Sequence, residues 1–232
     1  MRWPHFPRPR PAAIVDTHAR DRARMVAEQL EARGIRDPEL LRAFGAVERH
    51  RFVEGDEPYG DHALPVGSGQ TISQPYVVAI MTTAARPPEG WNGANVLEVG
   101  TGSGYQAALL GELGARLTTI ERHEALATTA RQRLEDAGYA DDRIEVVVGD
   151  GTQGWSAHAP YRSILVTAGA PSVPGPLLEQ LDRSGGRLVM PVGDRERQIL
   201  TVVVREGDGL TTTELEPVVF VPLIGEHGHR AE

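Results

Sequence analysis

Three features of the sequence predict an α/β fold: a Rossmann-like, mostly parallel central sheet with helices on both faces and an N-terminal helical cap. From residue 95 onward, short apolar runs alternate with helical patterns, the texture of successive strand–helix–strand units. One strand-to-helix junction carries glycine at positions 100, 102 and 104, where backbone must turn tightly and leave room. Two late β-rich segments follow each other with no helix between them, so they pair antiparallel and finish the sheet.

The elements follow in order. Residues 19–34 read as a helix, with Met25, Val26 and Leu30 on one side and Gly34 as terminator. Asp37-Pro38-Glu39 is a helix start: an N-cap, a proline at the first helical position and an acid in the first turn. That helix runs to about residue 47. Residues 51–69, rich in Gly, Pro and Asp, read as loop, and Pro75 opens a helix over 76–85. Strands are expected at 95–99, 116–120, 144–148, 164–167 and 187–190, with helices at 105–113, 123–137 and 173–181. The antiparallel pair is expected at 198–204 and 211–221. In units, residues 1–18 are a proline- and arginine-rich tail, 19–92 the cap, 93–225 the core and 226–232 a C-terminal tail.

Composition excludes several classes. The 232 residues carry 24 basic and 32 acidic side chains, a net charge of −8, which spreads poorly over a phosphate backbone and argues against nucleic acid as partner. There is no cysteine, so disulfide, thiolate-zinc and cysteine-nucleophile chemistry are out and a reducing, cytoplasmic compartment is expected. No apolar run approaches the ~20 residues that span a bilayer, and no apolar signal region follows the first arginines. The histidines are scattered, and His227 and His229 lack the companions a tetrahedral metal would need, so no metal is expected. Neither a G-x-S-x-G elbow nor a Walker A lysine motif occurs.

The sharpest motif is Glu98-Val99-Gly100-Thr101-Gly102-Ser103-Gly104 at a strand's carboxyl end. Dinucleotides and S-adenosyl-L-methionine compete for such a loop. A carboxylate at Glu98 repels a pyrophosphate and suits a ligand carrying an ammonium and a sulfonium. Glu121, 17 residues after Gly104, ends the next strand, where an acid accepts ribose hydroxyls. Asp150-Gly151 follows the third strand and suits an adenine amino group. Three acids at three successive strand ends favour the cationic ligand. The plain alternative makes Glu121 and Asp150 surface acids and the glycines a packing loop.

Gly67-Ser68-Gly69-Gln70-Thr71-Ile72-Ser73-Gln74-Pro75-Tyr76, together with the run from Leu97 through the glycine loop to Tyr105-Gln106-Ala107, strongly resembles the protein-L-isoaspartate O-methyltransferase family. The likeness continues at Tyr59-Gly60-Asp61, Ala63-Leu64-Pro65-Val66, Gly149-Asp150-Gly151, Val166-Thr167-Ala168, Gly185-Gly186-Arg187 through Gly193, and Phe220-Val221-Pro222-Leu223, covering about residues 24–225. The Thr-Ile-Ser-Gln-Pro run is specific to the family, whereas the glycine loop marks methyltransferases in general. The resemblance implies methyl transfer from S-adenosyl-L-methionine, leaving S-adenosyl-L-homocysteine, to the free carboxylate of an L-isoaspartyl residue in a damaged protein. The ester then closes to a succinimide, whose hydrolysis partly restores aspartate.

Carried over residue by residue, the likeness implies that Ser73 and Thr71 act on the substrate carboxylate and that Thr71, Ile72, Ser73 and Gln74 bind substrate. It puts the cofactor on Glu98, Gly100, Thr101, Gly102, Ser103, Gly104, Glu121, Arg122, Asp150, Gly151 and Thr167, and implies a monomer. A carboxylate is ionised at neutral pH, so no general base is needed. Ser73 also suits a local cap of the Pro75 helix. Arg162 departs from the family, which has aspartate there after an aromatic residue.

Three other readings stand beside this one. Some relatives esterify an ordinary aspartate in a ribosomally made peptide to form an aspartimide, but carry added C-terminal sequence, whereas this chain ends soon after Leu223. A non-catalytic module could keep the cofactor pocket for regulation, against which Thr71-Ile72-Ser73 stands intact. A nicotinamide-dependent reductase is disfavoured by Glu98.

Overall fold

The computed structural model describes residues 16–139 and 142–230. Most of the proline- and arginine-rich tail therefore lies outside the described residues. The chain enters the cap through α1 (Ala19–Arg24), continues as a π-helical stretch (Met25–Leu30) and closes with a 3-10 turn (Glu31–Arg33). The sequence suggested one regular helix here. The pitch widens because Met25 and Leu30, five residues apart, are both fully buried, and the π turn brings that spacing onto one face. Gly34, at φ 99°, ends the element as expected.

Helix α2 (Pro38–Ala46) starts as its sequence predicts: Asp37 Oδ1 accepts from the N–H groups of Glu39 and Leu40 at 2.9 and 3.3 Å. It buries Leu40, Ala43 and Phe44. A 3-10 turn (Arg49–Arg51) leads into the stretch expected to be loop, which holds the first strand of a small antiparallel hairpin, β1 (Leu64–Gly67) and β2 (Gln70–Ile72). Strands of four and three residues show no readable alternation, and only the Gly67-Ser68-Gly69 turn, with φ of 99°, 51° and 70°, betrays them. Helix α3 (Pro75–Ala85) follows at once.

The core runs β3 (Asn95–Val99), α4 (Tyr105–Glu112), β4 (Arg116–Glu121), α5 (Glu124–Asp136), β5 (Ile144–Val148), β6 (Ser163–Val166), α6 (Gly175–Glu179), β7 (Ser184–Gly193), β8 (Gln198–Glu206) and β9 (Gly209–Val218). The sheet order is β5-β4-β3-β6-β7-β8-β9; the first five are parallel, and β8 and β9 are antiparallel. The α/β class and the antiparallel finish are as predicted. Helix α6 is shorter than expected because it begins only after Pro174, and β7 is longer because it pairs with β8 along its whole length. Strand β9 is one of the sheet's two edge strands, β5 being the other, and is exposed nearly throughout, carrying Thr211, Thr212, Thr213, Glu214, Glu216 and Pro217.

From β3 the chain steps to β4 and β5, then returns to the other side of β3 as β6, with Val99 opposite Val166. Loops leaving β3 and β6 diverge there, opening a crevice at the carboxyl ends of the strands. Arg162 lies at the opposite end. Its guanidinium grips Glu89 (Nη2 to Oε2, 2.7 Å), Asp182 (Nη1 to Oδ1, 2.8 Å) and the Ser184 carbonyl (2.8 Å). It staples the loop before β3 to the loop before β7, which explains an arginine at this place without reference to substrate. Among the described residues no helix is long and apolar enough to cross a membrane, and no cluster of His, Asp or Glu could hold a metal ion.

Candidate active site

Two openings meet at the crevice. One is a cleft of about 430 Å³ lined by Thr71, Ser73, Gln74, Tyr76, Thr167 and the segment 216–221. The other is lined by Gly100, Gly102, Glu121, Arg122, Gly151, Thr167 and the segment 221–224, and Thr71 borders it too. Thr71, Thr167 and Val221 are shared, so the hairpin that carries the Thr-Ile-Ser run and the glycine loop face one another across a common wall.

Residues of the glycine loop divide into those that face the crevice and those that shape the turn. Gly100, at φ 96°, lies so close to β6 that a Cβ there would stand 2.4 Å from Thr167 Oγ1. That hydroxyl donates to the carbonyls of Val99 (3.1 Å) and Gly100 (2.8 Å) and locks the loop to β6. Gly102, at φ 52°, has open space where a Cβ would stand, so a ligand can approach its backbone. Thr101 and Ser103 are buried and face away from the crevice. Ser103 Oγ accepts from the Tyr105 N–H at 3.3 Å, and Gly104 allows close packing on Ala130 and Leu134 of α5.

Glu121 is placed as predicted, at the end of β4 on the crevice wall. Its Oε2 accepts from the Gly102 N–H and its Oε1 from the His123 N–H, both at 3.0 Å, so the carboxylate also holds the loop's shape. Asp150 turns elsewhere than expected. Its Oδ1 accepts from Thr152 N (2.9 Å) and Oγ1 (2.7 Å), and its Oδ2 from Glu226 N (2.8 Å), leaving Gly151 to line the crevice. Burial works against the Asp150 carboxylate, yet these donors hold its pKa below the usual value. Residues 226–230, read as a tail, are thus tied to the crevice edge, with His229 N donating to the Leu223 carbonyl at 2.8 Å.

Glu98 corrects the expectation of a charged carboxylate facing a ligand. It is fully buried beneath the loop, and burial pushes its pKa up to about 8. Thr119 Oγ1 donates to its Oε2 at 2.6 Å and shares a 2.7 Å hydroxyl contact with Thr101. Oε1 has no protein partner. An unfolded glutamate ionises near ~4.3, whereas the folded one keeps its proton to about 8. Between those values the folded state binds more protons, so this group's contribution makes stability fall as pH rises, until both states are ionised. Melting curves of the wild type and Glu98→Gln, from about pH 5 to 9, are expected to diverge, the wild type losing ground as pH rises. Parallel curves would show that Glu98 is ionised throughout.

Ser73 and Thr71 present hydroxyls to the cleft with no hydrogen bond to another described residue. Helix α3 is capped by Gln74 without a side-chain bond, so Ser73 is not its cap. Ile72 is buried and anchors the hairpin rather than lining either opening. Sequence reasoning gave no role to the segment 216–224, although Phe220-Val221-Pro222-Leu223 was among the matching runs; it walls both openings. It also missed Arg33, whose guanidinium carbon stands 3.4 Å from the centroid of the Tyr76 ring and whose Nη1 pairs with Asp61.

Residues 21–228 match the family model described as Protein-L-isoaspartate(D-aspartate) O-methyltransferase. The chain is 47% identical over 94% of its length to the protein-L-isoaspartate O-methyltransferase of Methanospirillum hungatei, all of which is covered. It is 49% identical, again over 94% of its length, to that of Methanoculleus marisnigri, 97% of which is covered. Among solved structures it is similar to a Plasmodium falciparum chain in complex with S-adenosyl-L-homocysteine, with 22% identity, a TM-score of 0.74, and 86% of this chain and 96% of that one covered; this likeness speaks to the fold. Sequence, topology and the meeting of loop and hairpin agree, and the chain belongs to the protein-L-isoaspartate (D-aspartate) O-methyltransferase family.

Proposed function

We propose that the chain transfers the methyl group of S-adenosyl-L-methionine to the free carboxylate of L-isoaspartyl residues in damaged proteins or peptides. The observation that carries this reading is the shared wall: Thr71 and Thr167 border both the opening at the glycine loop and the cleft that holds Ser73. A donor in one opening and an acceptor in the other can therefore meet without either leaving its place.

The residues present fit the cofactor. Gly100 and Gly102 leave the loop backbone open, Glu121 stands ready for ribose hydroxyls, Arg122 borders it, and Gly151 with Asp150 beside it marks the adenine end. Thr101, Ser103 and Gly104 hold the loop in shape, and Glu98 Oε1 is a buried polar atom beneath it without a protein partner. When bound, the cofactor supplies an electrophilic methyl carbon on sulfur; carboxylate oxygen bonds to that carbon as the carbon–sulfur bond breaks. This chain's part is to orient the carboxylate. The hydroxyls of Ser73 and Thr71 donate to it, with Gln74 and the first turn of α3 alongside. Holding nucleophile and electrophile in line supplies up to ~7–11 kcal/mol in well-oriented systems. The same reading makes the enzyme a cytoplasmic monomer acting on peptide and protein chains. The cysteine-free composition supports a reducing compartment, and the net negative charge argues against nucleic acid as partner.

Paired peptides that carry isoaspartate or aspartate at one position test the proposal. Isoaspartyl peptides of unrelated sequence are expected to be methylated far faster than their aspartyl twins. Strong activity on one aspartyl peptide, with little on generic isoaspartyl ones, would assign the chain to peptide modification instead.

A further inference from the structure

Arg49 lies in the 3-10 turn Arg49–Arg51, which sequence reading passed over, and it is the largest charged side chain among those fully buried. No carboxylate of the described residues pairs with it. Its Nε donates to the Pro58 carbonyl and its Nη2 to the Ser73 carbonyl, both at 2.8 Å. Nη1 has no protein partner. The guanidinium carbon stands 4.8 Å from the centroid of the Tyr105 ring, and Tyr105 is the first residue of α4, directly after Gly104.

Burying a cation without a paired anion is costly, and an apolar side chain of similar volume would fill the space at less cost. What an apolar residue could not do is hold two carbonyls at once. The rigid guanidinium fork reaches the loop at Pro58 and the hairpin exit at Ser73 together, while its face rests on the helix that leaves the cofactor loop. Lysine offers its donors from a single nitrogen and would match two carbonyls spaced for Nε and Nη2 less well.

We propose that Arg49 is a positioning residue for methyl transfer: by gripping the Ser73 carbonyl and resting on Tyr105, it sets the Ser73 hydroxyl at a fixed place relative to the glycine loop. This rests on the reading of Ser73 as the group that orients the substrate carboxylate. The acceptor side hangs from β2 and the donor side from β3, two segments joined by folding alone. Arg49 is a direct tie between them that touches neither ligand. In-line transfer tolerates little misplacement, since an error of ~1 Å costs up to ~100-fold.

The test compares Arg49→Met, Arg49→Lys, Ser73→Ala, the double variant Arg49→Met/Ser73→Ala and, as a packing control, Phe52→Leu. Phe52 is fully buried against the same Tyr105 ring, with ring centroids 5.9 Å apart. Single-turnover transfer to an isoaspartyl peptide, S-adenosyl-L-methionine affinity by calorimetry and thermal melting are read on each. Arg49→Met is expected to slow transfer by about 10- to 100-fold while cofactor affinity stays within about twofold, with Arg49→Lys between it and the wild type. Phe52→Leu is expected to keep near-wild-type transfer despite its loss in melting temperature. In the Ser73→Ala background, Arg49→Met should cost only a few-fold more, because its effect runs through the missing hydroxyl.

Slowing by Phe52→Leu equal to that of Arg49→Met at matched melting temperature would overturn the proposal, as would fully multiplicative losses in the double variant. Slow Ser73→Ala with fast Arg49→Met would remove Arg49 and leave Ser73 in its role. Wild-type transfer by Ser73→Ala would remove both. Should Arg49→Met fail to fold, Arg49→Lys and Arg49→Gln carry the same comparison.

Discussion

Gly100→Ala is expected to abolish measurable binding of S-adenosyl-L-methionine. At φ 96° an L-residue is strained, and the new Cβ would stand 2.4 Å from Thr167 Oγ1. That oxygen cannot step aside freely, because it donates to the carbonyls of Val99 and Gly100 and joins the loop to β6. Strain and a broken lock together cost about 3 kcal/mol. In a chain of this size that lowers the melting temperature by roughly 6–12 °C. Affinity falls further, because the loop that must move is the one that admits the ligand. Adding Thr167→Ala removes the contact but not the strain, so it should recover part of the stability. Calorimetry on the folded single variant decides the matter: wild-type affinity would show that the cofactor does not use this loop.

Glu121→Ala is the second large effect, a loss of cofactor affinity reaching about 100-fold. Charge-assisted hydrogen bonds are worth about 1.5–3 kcal/mol each, and an affinity factor of ten is ~1.4 kcal/mol. Two losses combine here. The ligand's hydroxyls lose their acceptor, and the Gly102 N–H loses the Oε2 that holds it at 3.0 Å, so the loop loosens as well. Glu121→Gln should be nearly as damaging, because an amide nitrogen turned toward either backbone N–H meets donor with donor. Unchanged affinity in both variants would sink the assignment of Glu121.

Legibility in the sequence followed the length of the pattern that each feature writes. Asp37-Pro38-Glu39 declares a helix start locally, and the structure has it with both capping bonds. Strands β3 to β6 are short, but each is bounded by glycine, proline or a polar turn, and all were found. The hairpin Leu64–Gly67 and Gln70–Ile72 was missed because its strands are shorter than any period. At the site, residue type and order pointed to Glu121, Gly100, Gly102 and Gly151, and the family resemblance to Ser73; all five border the two openings. They could not tell that Glu98 would lie beneath the loop and keep its proton, because burial is decided by β4 and its Thr119, not by the loop's own residues. Arg49 was invisible for a similar reason. Its carbonyl partners at Pro58 and Ser73 meet it only when the cap segment folds back on itself, and Tyr105 only after the cap has packed on the core.

The β9 edge of the sheet bears on the company such an enzyme keeps. Proteins that have aged chemically also tend to be partly unravelled, and an unravelled chain pairs with any open row of backbone donors and acceptors it meets. On β9 that row is interrupted by Pro217, which lacks an N–H, and flanked by the exposed acids Glu214 and Glu216 after three threonines in succession. The exposed leucines stand singly, Leu210 between Gly209 and Thr211 and Leu215 between two glutamates. Such an edge is a poor template for sticky strands. A protein that must handle damaged chains one after another offers them little to pair with along this edge.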